Sequence, residues 1–305
     1  MGRRKYLAKI SPYSYLLFLL PGLVLYLTFF LFPILQGVKY SLYDTGIMGL
    51  GDFVGWENYK KILFMPPLNK TFYNALQNNV VFFIYNTVVK IFGATLFAVM
   101  LNSLRRGSQF YKTVFFIPVT LSTVVVGYLW GLLLNPSWGP INQVLRVLGL
   151  SVLERNWLGD PSIALYTVAS VGIWKSLGFF MLIVLSGIIS IPEDYYEAAR
   201  IDGASAFRMH WSITLPLLKP TMLVLVILNF VGSFESFDLI YALTGPEGGP
   251  YYSTDVLGAF FYRTAFSSLG GFGLGATIAT LIFLIVFPIS GLLNVCRRKL
   301  QESIE

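Results

Sequence analysis

Six apolar runs dominate the chain, at about 15–35, 79–101, 114–134, 163–188, 221–243 and 272–295, with polar stretches between them. Each has the roughly 20 residues needed to cross a 30 Å hydrocarbon core as helix. Helix is required because lipid offers no partner for open backbone groups. The pattern predicts an all-α membrane protein with six transmembrane helices and both ends on one side. Pro21 and Pro33 are expected to kink or end the first helix. That run follows a basic tail, 1–14, carrying Arg3, Arg4, Lys5 and Lys9. It is longer than a secretory signal core and has no clear small-x-small site, so it is expected to stay as an uncleaved span. A hydrophilic segment, 36–78, carries Trp56, Asn58, Tyr59 and a Pro66-Pro67 break, and a short tail, 296–305, closes the chain.

The polar stretch 195–216 breaks this pattern in an organised way. Pro192 can occupy the first turn of a helix, and Glu193 and Asp194 follow at the positive end of its dipole. Ala198 and Ala199 allow close approach of another surface. Gly203 is placed to end the helix in a left-handed conformation. A second short helix is expected to carry Phe207 and Trp211 on one face, one turn apart, before Pro216 opens the next span. The spacing describes a helix–Gly–helix elbow at a membrane surface. It is either a grip for a partner or an interfacial elbow without one.

Composition agrees with a polytopic membrane protein: of 305 residues, 55% are hydrophobic and 12% charged, against about 25% charged in a soluble globule. The net charge of +7 is therefore no nucleic-acid signal; the placement of the cations matters instead. Arg3, Arg4, Lys5, Lys9, Arg105, Arg106, Lys112, Arg200, Arg208, Lys219, Arg297, Arg298 and Lys299 fall on the side of the N-terminus. They outnumber Lys39, Lys60, Lys61, Lys70, Arg146, Arg155 and Arg263 on the other. The excess predicts cytoplasmic termini and a cytoplasmic elbow. Cys296 is the single cysteine and reads as a small packing residue; His210, the single histidine, reads as a loop side chain. No Walker A pattern, metal-ligand cluster or Ser/His/Asp arrangement is present, so no catalytic site is expected. Gly270, Gly271, Gly273 and Gly275 open an apolar helix, where close helix packing accounts for them.

Ionisable groups inside spans are costly and face a bundle interior or a wet cavity. Lys90, Lys175, Glu235 and Asp238 are the candidates. Asn229, Ser233 and Ser236 recur four and three residues apart on one helical face, beside an aromatic face of Phe230, Phe234 and Phe237. Hydroxyl partners next to ring-stacking surfaces suit a sugar. Interhelical hydrogen bonds and a Lys175–Glu235 salt bridge are the structural alternative, and the one favoured for Lys90.

The pattern Glu197-Ala198-Ala199, Gly203, Ile213, Leu215, Pro216 resembles the EAA loop of permease subunits of binding-protein-dependent ABC importers. The resemblance extends over residues 10–297, through LLPGLVLYLTFFLFPI near the N-terminus, IWKSLGFFMLIVLSGI before the elbow, and LTGPEGGP and FGLGATIATLIF after it. It is closest to the maltose-importer permease that carries the sugar site, without that subunit's extra N-terminal spans and large outer domain. It implies the type I importer permease fold, with 79–295 as core and 190–219 as coupling loop. Positions lining that family's sugar site fall on Lys175, Ser176, Phe179, Asn229, Ser233 and Ser236; Glu235 is added here from its place in the span. Lys175 puts a cation where the maltose site is apolar.

The resemblance also implies alternating access in a bacterial or archaeal plasma membrane. A second, similar permease subunit, two cytoplasmic ABC ATPases that bind ATP and Mg, and an extracytoplasmic binding protein that delivers a sugar are the expected partners. No cofactor and no nucleic acid is expected on this chain. Glu197 would contact an ATPase arginine or backbone donor, and Ala198, Ala199 and Gly203 would allow close docking. Phe207 and Trp211 would pack into the ATPase cleft or on the chain's own helices, and Ile213, Leu215 and Pro216 would complete the exit. Cargo of the glycerol-3-phosphate, polyol or acidic-oligosaccharide type, and more remotely a secondary transporter, are the alternatives.

Overall fold

The computed structural model describes residues 12–44, 51–104, 106–266 and 271–302. Arg3, Arg4, Lys5, Lys9, Arg105 and Gly270 lie outside them. Among the described residues all regular structure is helical, apart from one antiparallel bridge between Tyr43 and Phe53. Four helices are long and apolar enough to cross a membrane, and six if each of two bent pairs is one span.

The first span is α1 (Pro12–Tyr26), a π turn at Leu27–Leu31, and α2 (Phe32–Tyr40). Pro21 is absorbed within α1. Pro33 sits just past the π turn, which accommodates its missing N–H. From Leu17 to Leu35 every residue is exposed, so this span stands off its own core. After α3 (Glu57–Phe64), α4 (Leu68–Ser103) runs for 36 residues, starting eleven positions before the apolar run because its polar first turns remain helical.

Two expected spans are not straight. The third divides into α5 (Ser108–Thr120) and α6 (Thr123–Leu133), 96° apart. Pro118 removes a donor near the end of α5, and Ser122 takes an extended ψ of 137°. After α7 (Pro140–Val147) and α8 (Ala164–Ile189) comes the elbow: α9 (Glu193–Ile201), α10 (Ala206–Met209), a π turn at His210–Thr214 and α11 (Leu215–Leu217). The fifth expected span then breaks as well: α12 (Lys219–Phe234) stops, and α13 (Phe237–Thr244) restarts after Glu235-Ser236. Finally α14 (Leu257–Phe266) leads to α15 (Phe272–Glu302).

The frame is α4 against α8. Ala94, Ala98 and Leu101 meet Phe180, Met181, Val184, Leu185 and Ile188, with Leu218 and Leu225 closing the cluster at the elbow end. α5 lies so close to α8 that a methyl group on Gly178 would overlap the Phe115 carbonyl. Gly178→Val is therefore expected to destabilise the bundle by about 1–3 kcal/mol, read as a lower thermal midpoint in detergent. Gly275 of α15 fits against Ala265 in the same manner, which accounts for that glycine. Cys296 is exposed rather than packed, because it lies on the outward side of α15.

At the end opposite the elbow, asparagines of α4 act as clamps. Asn79, fully buried, donates to the Ser233 carbonyl at 2.9 Å and accepts from the Leu257 amide at 2.8 Å, tying the end of α12 to the start of α14. Asn78 donates to the Asp255 carbonyl, and Asn74 to that of Tyr252. Asp255 lies beneath this loop with a fully buried side chain, 2.7 Å from Arg263.

Candidate functional site

The elbow is built by local rules. Pro192 is the N-cap of α9, with ψ at 137°, one residue before its expected place in the first turn. Glu193 and Asp194 occupy that turn, and Glu193 pairs with Arg200 at 3.1 Å on the surface. Gly203 takes φ +72°; its amide donates to the Arg200 carbonyl at 3.1 Å, and the Ala204 amide donates to Ala199 at 2.9 Å. This pair of bonds closes the helix end and needs a left-handed residue. The Ser205 hydroxyl accepts from the Arg208 amide and caps α10. Phe207 and Trp211 stack at 6.4 Å, 78% and 67% exposed, so neither packs on the chain's own helices. Glu197 and Ala198 are exposed and Ala199 half-buried, and Ile213, Leu215 and Pro216 are half-buried at the inner arm.

One bracing element was not evident from spacing. Buried Thr214 hydrogen-bonds Tyr196 of α9 at 3.0 Å and His210 at 3.3 Å, locking the two arms together. Leu218, at the 62° bend into α12, is buried in the α4–α8 cluster. The elbow is thereby tied to both α8 and α12.

The other end of α12 forms one wall of a cavity of about 360 Å³. Lys175, Ser176, Asn229, Ser233, Glu235 and Ser236 all line it, joined by Lys90, Asn86, Phe180 and Asp238. Phe179 does not: it is exposed, one position round α8, and Phe180 supplies the ring instead. The aromatic face of the fifth span is also elsewhere. Phe230 and Phe234 are buried in a separate core with Ile62, Phe72 and Ile278, and Phe237 packs on Tyr241 and Tyr262.

Asn229 is committed within the protein. Its amide donates to Thr87 at 2.7 Å and its oxygen accepts from Lys90 Nζ at 3.0 Å, while that ammonium also lies 4.7 Å over the Phe180 ring. Ser233 and Ser236 donate to backbone carbonyls of Asn229 and Ser233, which leaves each hydroxyl only its lone pairs to offer a further partner. The Lys175–Glu235 salt bridge does not form. Ion pairs among the described residues join Lys60 to Glu57, Arg146 to Glu154, Arg200 to Glu193 and Arg263 to Asp255. Lys175, Glu235 and Asp238 are left as unpaired charges around one space.

Bent membrane helices around a charged cavity, with an exposed elbow braced to the core, define a polytopic permease. The chain belongs to the family of binding-protein-dependent transport system inner membrane components, whose pattern matches residues 90–299. It is 37% identical over 285 residues to the probable ABC transporter permease protein YurN of Bacillus subtilis, covering 92% of this chain and 94% of that one. The trehalose/maltose transport system permease protein MalF of Thermococcus litoralis is 35% identical over 271 residues, 88% of each. Among solved structures, a chain of a bacterial ABC transporter involved in the import of the acidic polysaccharide alginate superposes with a TM-score of 0.81 at 25% identity, over 94% of this chain and 96% of that one. The fold is that of a type I ABC permease.

Proposed function

We propose that this chain is one of two permease subunits of an ATP-driven importer for a neutral oligosaccharide. It would cross the plasma membrane of a bacterium or archaeon six times, with both ends and the elbow in the cytoplasm. The observation that carries the reading is α12: a single helix of 16 residues, about 24 Å long, joins the braced elbow at one end to the charged cavity at the other. Two ABC ATPases gripping the elbow of this chain and of its partner permease would drive that shaft. ATP and Mg would be held by those ATPases, and a binding protein outside would supply the cargo. Glu197, Ala198, Ala199, Gly203, Phe207 and Trp211 form the gripped surface; Ile213, Leu215 and Pro216 hand motion to α12. The trehalose/maltose name of one relative supports sugar as the cargo class.

The charges refine the cargo. Glu235 and Asp238 each accept hydrogen bonds from vicinal hydroxyls, and Lys175 donates to another. Ser176, Ser233 and Ser236 add weaker partners, and Phe180 offers a ring face. Lys90 keeps its charge while bonded to the neutral Asn229, so the two lysines and two carboxylates of the lining balance and offer an anionic cargo no net attraction. This favours a neutral sugar over glycerol-3-phosphate or a uronate oligomer.

The test is ATP-dependent accumulation in proteoliposomes of the assembled transporter with its binding protein, using neutral and uronic oligosaccharides. Neutral cargo should accumulate, and Glu235→Gln should slow it about tenfold or more. Accumulation of the uronic series alone would overturn neutral cargo, and accumulation without nucleotide would overturn the permease assignment itself.

A further inference from the structure

A second cavity, of about 530 Å³, opens between the elbow-side ends of α8, α12 and α15. Its polar wall comes from three directions: Ser186 and Ser190 of α8, Thr221 of α12, and Arg297 and Gln301 of α15. The Nε of Arg297 is buried and has no hydrogen-bond partner. Among the described residues the hydroxyls of Ser186 and Thr221 make no hydrogen bond. A guanidinium and two hydroxyls lining one space form a donor set for a phosphate group. A buried donor left unmade is unfavourable, so the site is incomplete without an acceptor.

The surroundings say which phosphate. The apolar stretch of α15 ends here, at Arg297, Arg298 and Lys299. Within the cavity, Ile183 of α8 and Val224 of α12 carry the wall on from the polar end into apolar side chains. A headgroup at Arg297 therefore has an apolar wall for its acyl chains in the same cavity. Basic pockets between helices at a membrane face recognise anionic headgroups in this way. We propose that this cavity binds the phosphate of an anionic phospholipid, bridging α8, α12 and α15 beside the 62° bend where the elbow joins its shaft. Leu217 and Thr221, on either side of that bend, both face the cavity, so the bound lipid stiffens the joint between elbow and shaft.

The purified full chain, in detergent and then in nanodiscs, is titrated with phosphatidylglycerol and with phosphatidylcholine. Binding is followed by native mass spectrometry and by the thermal midpoint. Phosphatidylglycerol is expected to be retained preferentially and to raise the midpoint. Arg297→Gln should weaken it roughly tenfold or more, while Arg298→Gln, on the exposed neighbour, should leave it unchanged. Should Arg297→Gln fail to fold, the pair Ser186→Ala and Thr221→Val gives the same reading through the other two walls. Equal retention of the two lipids, or full retention by the Arg297 and Ser186/Thr221 variants, overturns the proposal. Inorganic phosphate at millimolar concentration that stabilises the chain as well as the lipid does also overturns it, by assigning the site to a soluble anion.

Discussion

Arg263→Met is expected to lower the stability of the chain by about 3–5 kcal/mol, the loss typical of removing one partner from a buried ion pair. Asp255 is fully buried, and Arg263 reaches it at 2.7 Å while also donating to the Pro246 carbonyl at 2.9 Å and covering the Tyr252 ring. Burial pushes the Asp255 carboxyl above the usual carboxylate range; the hydrogen bond and charge of Arg263 oppose that push. Without Arg263 only the Val256 backbone hydrogen bond still opposes the push. A folded-state pKa raised above the unfolded one is a penalty at neutral pH that is relieved as pH falls through the folded value. Arg263→Met should thus regain stability on acidification. Adding Asp255→Asn should restore part of the loss at neutral pH, since the charge itself is gone. Thermal midpoints in detergent between neutral and mildly acidic pH decide this. A single variant as stable as wild type, or one that weakens further with acid, would show that the pair does not hold the loop.

Gly203→Val is expected to cut ATP-dependent uptake about tenfold or more while the spans stay folded. Nothing lies within 4 Å of a Cβ built at Gly203, so the substitution acts through the backbone alone. At φ +72° an ordinary side chain costs about 1–2 kcal/mol, and a β-branched one is the most strained. Relieving it opens the two bonds to Ala199 and Arg200 that set the angle between the elbow's arms. Gly203→Asn, tolerated in that conformation, should be close to wild type. The measurement is uptake set against ATP hydrolysis in the assembled transporter: hydrolysis that persists while uptake falls is the expected uncoupling. Normal uptake in the valine variant would count against the elbow as the coupling element.

How much of the site was legible in the sequence differs between its two halves. The elbow was readable because its determinants are local: a proline start, an acidic first turn, a glycine stop and an aromatic pair one turn apart act within a few residues. The cavity was readable only in its polar members. A helical wheel places Asn229, Ser233 and Ser236 on one face, and the structure keeps that face inward. It could not show that Asn229 is held by Lys90 and Thr87, or that Phe230 and Phe234 belong to another core. Both depend on which helices surround α12. Phe179 and Phe180 are adjacent, and no periodicity tells which ring faces the cavity.

By itself the sequence determined the class: six apolar runs that must be helices in lipid, and a polar elbow whose turns are written residue by residue. The tertiary structure alone decided where two of those runs break, that Lys175, Glu235 and Asp238 share a space without pairing, and that Thr214 and Leu218 weld the elbow to the bundle. Hydrophobic periodicity and capping are properties of neighbours along the chain. A break at Glu235 and an unpaired charge beside it are set by contacts more than a hundred residues apart, such as Asn79 with Ser233, and only packing brings those together.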